Sequence, residues 1–130
     1  MPPTTNAAWV ASNGGGYVQQ FDKGTIWLQN KATRAFAMGA GPFLEGYRTA
    51  GAERGSWGWP MSEATCGMTD GGCRMDFQKG GTYYSKSTGS VLVPTVTLAE
   101  YRKIGAEKSP LGYPKSASKT YDGVVEQAFA

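Results

Sequence analysis

The sequence predicts a mostly β fold with short helices, an α+β protein built from tandem β-meander-plus-helix repeats. Three observations predict it. Tyr47–Ser62 and Tyr101–Ser116 are identical at eight of sixteen positions, which marks an internal repeat. The repeat is centred on two tetrapeptides 54 residues apart, Trp57-Gly58-Trp59-Pro60 and Leu111-Gly112-Tyr113-Pro114. Of 130 residues 19 are Gly, 12% are aromatic and only 18% are charged, a turn-rich composition that suits strands better than a helical bundle. The stretches before each repeat are short β-branched or aromatic runs bounded by Gly-rich turns.

The elements follow in order. Residues 1–13, rich in Pro, Thr, Asn and Ala with Trp9 among them, read as an irregular lead-in. Asn13-Gly14-Gly15-Gly16 is a turn and Tyr17–Phe21 a strand. Asp22-Lys23-Gly24 is a hairpin turn with Gly where positive φ is wanted. Thr25–Gln29 is the return strand. Asn30–Thr33 turns again, and Arg34–Met38 is a third strand with Phe36 and Met38 on one face. A helix follows, with Pro42 at its first position, Leu44 and Tyr47 on one face, and Gly51 as its stop.

The second unit repeats this order. Arg74–Phe77 is a strand, Gln78–Gly81 a turn, Thr82–Ser85 the return, Lys86–Gly89 a turn, and Ser90–Val93 a third strand stopped by Pro94. Thr97 is the expected helix cap, with Glu100 completing a capping box. Leu98, Tyr101 and Gly105 repeat the roles of Leu44, Tyr47 and Gly51. A third unit then starts: Asp122–Phe129 matches Asp70–Phe77 as far as the first strand. Met1-Pro2, by its distance from Phe21, reads either as the end of an earlier tetrapeptide or as a plain start. The organisation expected is one repeat domain over 1–130, with units at about 3–60 and 61–114 and a partial unit at 115–130.

A chain of this size buries roughly two-thirds of its unfolded surface, enough for a real core. The net charge is +3, and Arg102, Lys103, Lys108, Lys115 and Lys119 gather toward the C-terminus. They form either a basic face for an anionic polymer or a solvated surface. No apolar run is long enough to span a membrane, and residues 1–6 lack a signal-peptide pattern. An extracellular role would therefore need an export signal missing from this chain.

Cys66 and Cys73 flank Asp70-Gly71-Gly72, a turn tight enough to bring them together in a small loop. Such a bond contributes about 2.5 kcal/mol in the chain-entropy picture and implies an oxidising compartment. The alternative is a pair of reduced thiols. There is no His and no second Cys pair, so no metal site is expected, and no cofactor. The absence of His also excludes Ser-His-Asp and Cys-His catalysis. Asp70, Asp76, Glu63 and Asp122 are candidate glycosidase carboxylates by position only, and Asp70 and Asp122 are better explained as turn residues. The Gly runs sit in hairpins and none forms a phosphate loop. No catalytic residues, no nucleic-acid partner and no membrane span are expected.

Phe77-x-x-Gly80-Gly81-Thr82-Tyr83-Tyr84-Ser85-Lys86-Ser87-Thr88-Gly89 and Leu111-Gly112-Tyr113-Pro114-Lys115-Ser116 resemble the hairpin and signature of the LGFP repeat family of actinobacterial cell-wall proteins. The resemblance covers roughly residues 14–130. The chain departs from the family pattern at Trp57, which replaces Leu, at Thr33-Arg34, which replaces Thr-Gly, and in the Cys66–Cys73 insertion. The resemblance implies a non-catalytic, extracellular module that holds a protein on the wall polysaccharide. It also implies either a propeller-like ring or, with so few units, a compact repeat pair.

Read in that light, Trp57, Trp59 and Tyr113 are either a platform for sugar rings or core residues pinning the helix end. Trp59 and Tyr113 share a position in both units, which favours the structural job. Trp57 stands where the other unit has Leu, which makes it the better binding candidate. Trp27 aligns with Tyr83 on the return strands, and Tyr84 points to the opposite face from Tyr83. One of the two tyrosines is expected in the core and one outside. Arg48 and Arg102 are equivalent helix residues, expected to pair with Glu53 and Glu107, to bond loop carbonyls, or to meet anionic polymer. The expected function is attachment to wall polysaccharide of the arabinogalactan or peptidoglycan type, by aromatic stacking and hydrogen bonds in a groove between units. The alternative is an assembly subunit, self-associating through the terminal strand that ends at Phe129.

Overall fold

Two four-stranded antiparallel sheets, each followed by one short helix, carry the chain, and the computed structural model describes residues 7–116, 118–121 and 124–129. The first sheet runs in the order β1 (Ala8–Val10), β2 (Gly16–Phe21), β3 (Gly24–Gln29) and β4 (Phe36–Gly39), and helix α1 spans Pro42–Thr49. The second runs β5 (Thr65–Cys66), β6 (Cys73–Phe77), β7 (Gly80–Ser85) and β8 (Gly89–Pro94), and helix α2 spans Thr95–Lys103. A hairpin of β9 (Lys119–Tyr121) and β10 (Val124–Glu126) follows. The arrangement is a compact repeat pair that does not close into a barrel.

Three local expectations are corrected. The lead-in contains β1, whose three residues pair with β2. The loop before the second sheet contains β5, paired to β6 at Cys66 and Cys73. Helix α2 begins at Thr95, so Thr97 is not its cap; the Thr97 hydroxyl donates to the Pro94 carbonyl at 3.3 Å. Pro94, with φ of −61°, already holds the backbone at a helix-compatible angle, and the helix starts directly behind it. Met1-Pro2 lies outside the described residues.

Both helices stop at a left-handed Gly, Gly51 at φ 104° and Gly105 at φ 114°, where a side chain would be strained. The apolar alternation of the strands then decides which face goes where. In the first sheet Val18, Thr25, Trp27 and Met38 share the face covered by α1: Trp27 meets Tyr47 edge-on at 5.1 Å, and Arg48 donates to the Thr25 hydroxyl. In the second sheet Asp76, Gly81, Tyr83 and Val93 share the face covered by α2. Tyr83 meets Tyr101 edge-on at 5.1 Å.

The opposite faces differ. On the second sheet Met75, Thr82, Tyr84 and Leu92 turn back toward α1, which packs on β8 as well as on its own sheet. Phe43 of α1 lies 6.3 Å from Tyr84, and a Cβ on Gly46 would come within 2.7 Å of Ser90. Met75 is 1% exposed there. One core thus joins Trp27, Leu44 and Tyr47 of the first unit to Met75 and Phe77 of the second, and a smaller one holds Tyr83, Val93, Tyr101 and Tyr113.

Candidate functional site

The two tetrapeptides do the same work in both units. Tyr47 donates to the Gly58 carbonyl at 2.5 Å, and Tyr101 to the Gly112 carbonyl at 2.6 Å. Burial pushes both tyrosine hydroxyls well above the ordinary value, with Glu53 adding to it at Tyr47 and Tyr83 and Glu107 at Tyr101. The ring after that Gly folds back on its own unit. Trp59 Nε1 donates to the Ser12 carbonyl at 2.9 Å, and the Tyr113 hydroxyl donates to the Thr69 carbonyl. Each ring lies against a Gly in matching register. A Cβ on Gly16 would meet Trp59 at 2.7 Å, and one on Gly72 would collide with Tyr113.

The tetrapeptide then launches the next strand. The Lys79 and Gln78 amides donate to the Trp57 and Trp59 carbonyls, and Pro60 bridges Phe77. Pro114 bridges Phe129 in the same way. Phe77 lies 4.8 Å from Tyr47, and Phe129 lies 4.9 Å from Tyr101.

This geometry decides the fate of most aromatic candidates. Trp59, Tyr113, Trp27 and Tyr83 are buried in the core. Of the Tyr83–Tyr84 pair, Tyr83 is the core residue and Tyr84 is half-buried under α1. Trp57 is 6% exposed, stacked on Tyr47 at 5.6 Å and edge-on to Phe77 at 5.1 Å. Those two rings enclose most of it, and what remains lines the groove between the units. The departure from Leu gives a larger core residue at the junction.

The arginines also take structural partners. Arg102 bonds Asp76 at 2.5 Å and the Tyr83 hydroxyl at 3.2 Å. Burial alone would lower its guanidinium, but the hydrogen bonds and the charges of Tyr83 and Asp76 together outweigh it and the net shift is upward. Neither arginine bonds the Glu at i+5. Glu53 instead accepts from Trp27 Nε1 at 2.9 Å, because the buried indole needs an acceptor. Among the carboxylates, Asp76 is held by Arg102, Glu63 pairs with Arg34, and Asp70 sits in a turn at φ 56°. Asp122 lies outside the described residues. Among the described residues no cluster of three or more metal-ligand side chains forms. Among the described residues no helix is long and apolar enough to cross a membrane.

Three surfaces stand out among the described residues. A groove of about 600 Å³ lies between the units, with Trp57 and Leu92 as floor and Thr49, Ser56, Lys79 and Ser90 around it. The Ser90 hydroxyl there is buried and has no partner among the described residues. A second groove of about 750 Å³ runs beside Cys66, where Arg74, Arg102 and Lys108 face Glu107. The third surface is aromatic. Trp9 and Tyr17 are cross-strand partners with ring centroids 5.1 Å apart at 71°, and they are 51% and 48% exposed. Trp9 lies over Gly15, where a Cβ would come within 2.6 Å of the ring.

The sequence reading missed this pair because three residues of β1 are too few to show alternation. The signal was nevertheless present in the repeat. Trp9 and Tyr17 pair in the first sheet where Cys66 and Cys73 pair in the second, and those cysteines are joined by a disulfide with Cα atoms 4.1 Å apart.

The profile of the LGFP repeat matches the chain twice, over residues 2–55 and 58–109. No curated protein matches the chain.

Proposed function

The chain belongs to the LGFP repeat family, a family of repeat modules associated with cell-wall proteins, and from that premise we propose that it is a non-catalytic, extracellular module attached to bacterial wall polysaccharide. The ligand class is a neutral or weakly anionic glycan of the arabinogalactan or peptidoglycan type. Adhesion needs apolar ring faces for the CH faces of sugars and hydrogen-bond groups for their hydroxyls, and it needs no chemistry.

The exposed Trp9–Tyr17 pair carries this reading. Trp is highly buried on average, so two large rings exposed side by side form an informative patch. These two stand half-exposed on a sheet edge, with Trp9 braced on the Gly15 backbone. A rigid aromatic contact of this kind binds at low entropic cost, since its side chains are already ordered. The inter-unit groove supports the same reading with hydroxyl groups and the Lys79 ammonium over an apolar floor. The basic groove beside the disulfide adds cations that suit phosphate or carboxylate groups on the polymer.

The test is retention on purified wall polysaccharide. The unmutated chain is expected to be retained, and Trp9→Ala and Tyr17→Ala each to weaken binding about tenfold, the loss of roughly 1.4 kcal/mol. No retention of the unmutated chain overturns the adhesion reading. Unchanged binding by both variants overturns the placement of the site.

A further inference from the structure

At one place the first unit fills its core and the second leaves a groove. By register Cys66 and Cys73 stand where Trp9 and Tyr17 do, so Gly67 takes the place of Val10, Arg74 that of Val18 and Tyr83 that of Trp27. In the first unit Val10 and Trp27 are buried and Val18 packs against the same core. In the second unit that filling is gone. A Cβ on Gly67 would meet nothing within 4 Å, and Arg74 is exposed. The Cys66–Cys73 bond ties β5 to β6 covalently, so the edge strand holds without a buried side chain at Gly67. The space left is the groove of about 750 Å³ beside the disulfide, lined by Gly67 and Arg74 together with Arg102, Glu107 and Lys108. That volume lies in the range of small-ligand sites.

The fold does not use all the charges here. Arg102 is bonded to Asp76 and to the Tyr83 hydroxyl. Arg74 and Lys108 make no ion pair among the described residues. Glu107 is the counterpart of Glu53, which accepts from the Trp27 indole, but Tyr83 in that place offers no indole N–H. Glu63, at the neighbouring end, is taken by Arg34. Three cations, Arg74, Arg102 and Lys108, thus stand against two carboxylates, Glu107 and Asp76, and the balance is positive.

We infer that this groove is a subsite for an acidic sugar, one carrying a carboxylate or phosphate group, held by the Arg74 guanidinium and the Lys108 ammonium while Glu107 accepts from its hydroxyls. The inference rests on the reading of the chain as a glycan-binding module and adds a division of labour to it. The Trp9–Tyr17 pair takes apolar sugar faces, and the second unit selects charge. Arg74 sets the specificity, since its planar fork matches two oxygens of a carboxylate or phosphate, whereas Lys108 acts as a point charge. Val18 stands in its place in the first unit, which has no such fork there.

Binding of three defined glycans tests this: tetragalacturonate for the carboxylate, a phosphomannan fragment for the phosphate, and neutral galactotetraose. In titration calorimetry at low salt, the parent is expected to bind at least one acidic glycan about tenfold more tightly than the neutral one, with the preference fading as salt is added. The tighter acidic arm identifies the group. Arg74→Gln is expected to lose the preference while binding galactotetraose as the parent does, and Arg74→Lys to restore only part of it. Arg74 is exposed, so both variants are expected to keep the circular dichroism of the parent. Equal binding of acidic and neutral glycans by the parent, or a preference that Arg74→Gln keeps, would overturn the proposal. Retention on purified wall polysaccharide decides the adhesion reading separately: a chain retained there without an acidic preference overturns the subsite alone.

Discussion

Ile26 and Thr82 hold the same register position, opposite Gln19 in the first sheet and Met75 in the second. Ile26 is half-buried, whereas Thr82 is completely enclosed. The more polar residue is the more deeply buried one, and its hydroxyl has no partner among the described residues. Local sequence does not explain that inversion, but the neighbour does. The second sheet is held between two helices, its own and that of the preceding unit, while among the described residues the first has only its own. The difference teaches that the second unit does not bury its sheet with its own helix alone. In this chain the second unit covers one face of its sheet itself and takes the cover of the other from α1 of the unit before it, as expected where a repeat cannot enclose its hydrophobic surface alone.

The sharpest way to break the comparison is at the phenylalanines. Phe77→Ala, within the aromatic cluster of Tyr47 and Trp57, is expected to cost about 3–5 kcal/mol in urea unfolding. Phe21→Ala, the same residue on the sheet that has no second helix over it among the described residues, is expected to cost only about 1 kcal/mol. Equal costs would mean that the two sheets are equally enclosed.

The edge pairs come next. Replacing Cys66 and Cys73 together by Ser is expected to lose about 2.5 kcal/mol, seen as a lower Tm. Trp9→Ala, at the matching place, is expected to change stability by only about 0.5 kcal/mol, as an exposed residue away from the core does. A large loss at Trp9 would make its ring a structural clamp.

The tyrosines give the third comparison, and it depends on pH. Tyr47 and Tyr101 titrate higher in the folded protein than in the unfolded chain, where the ordinary value is near 10. Their neutral form is therefore favoured by folding. The stability they contribute is complete below about pH 10, falls as pH rises above that, and is gone once pH passes the folded values. Tyr47→Phe is expected to lose about 1–3 kcal/mol at neutral pH, because the buried Gly58 carbonyl loses its donor. It is also expected to flatten part of the alkaline decline, with Tyr101 supplying the rest. An unchanged alkaline profile would contradict the assignment.

Much of this fold is legible in the sequence, because the repeat makes each element appear twice. The Gly stops at Gly51 and Gly105, the hairpins at Gly24 and Gly80, and the shared structural role of Trp59 and Tyr113 follow from alignment and turn chemistry. The short edge strands are not legible, since two or three residues carry no periodicity. The Trp57 environment is also hidden. Comparison with Leu111 marks Trp57 as different, but the stacking that encloses it comes from Tyr47 and from Phe77 of the next unit. The same reason hides the partners of Arg102: Asp76 and Tyr83 lie on strands brought to the helix only by packing. Which aromatics stay exposed was not legible, because exposure is a property of neighbours: Trp9 and Tyr17 are exposed, while Trp27, Trp57, Trp59, Tyr83 and Tyr113 are buried.

The most direct measurement places a charge on the back face of each sheet in turn. Thr82→Asp and Ile26→Asp are made separately and unfolded in urea at dilute protein. Burying an unpaired carboxylate beneath α1 is expected to cost more than about 3 kcal/mol or to prevent folding, while the same charge on the first sheet is expected to cost about 1 kcal/mol. Comparable losses at the two sites would contradict the account, since they would show that the first sheet is already covered within a single chain.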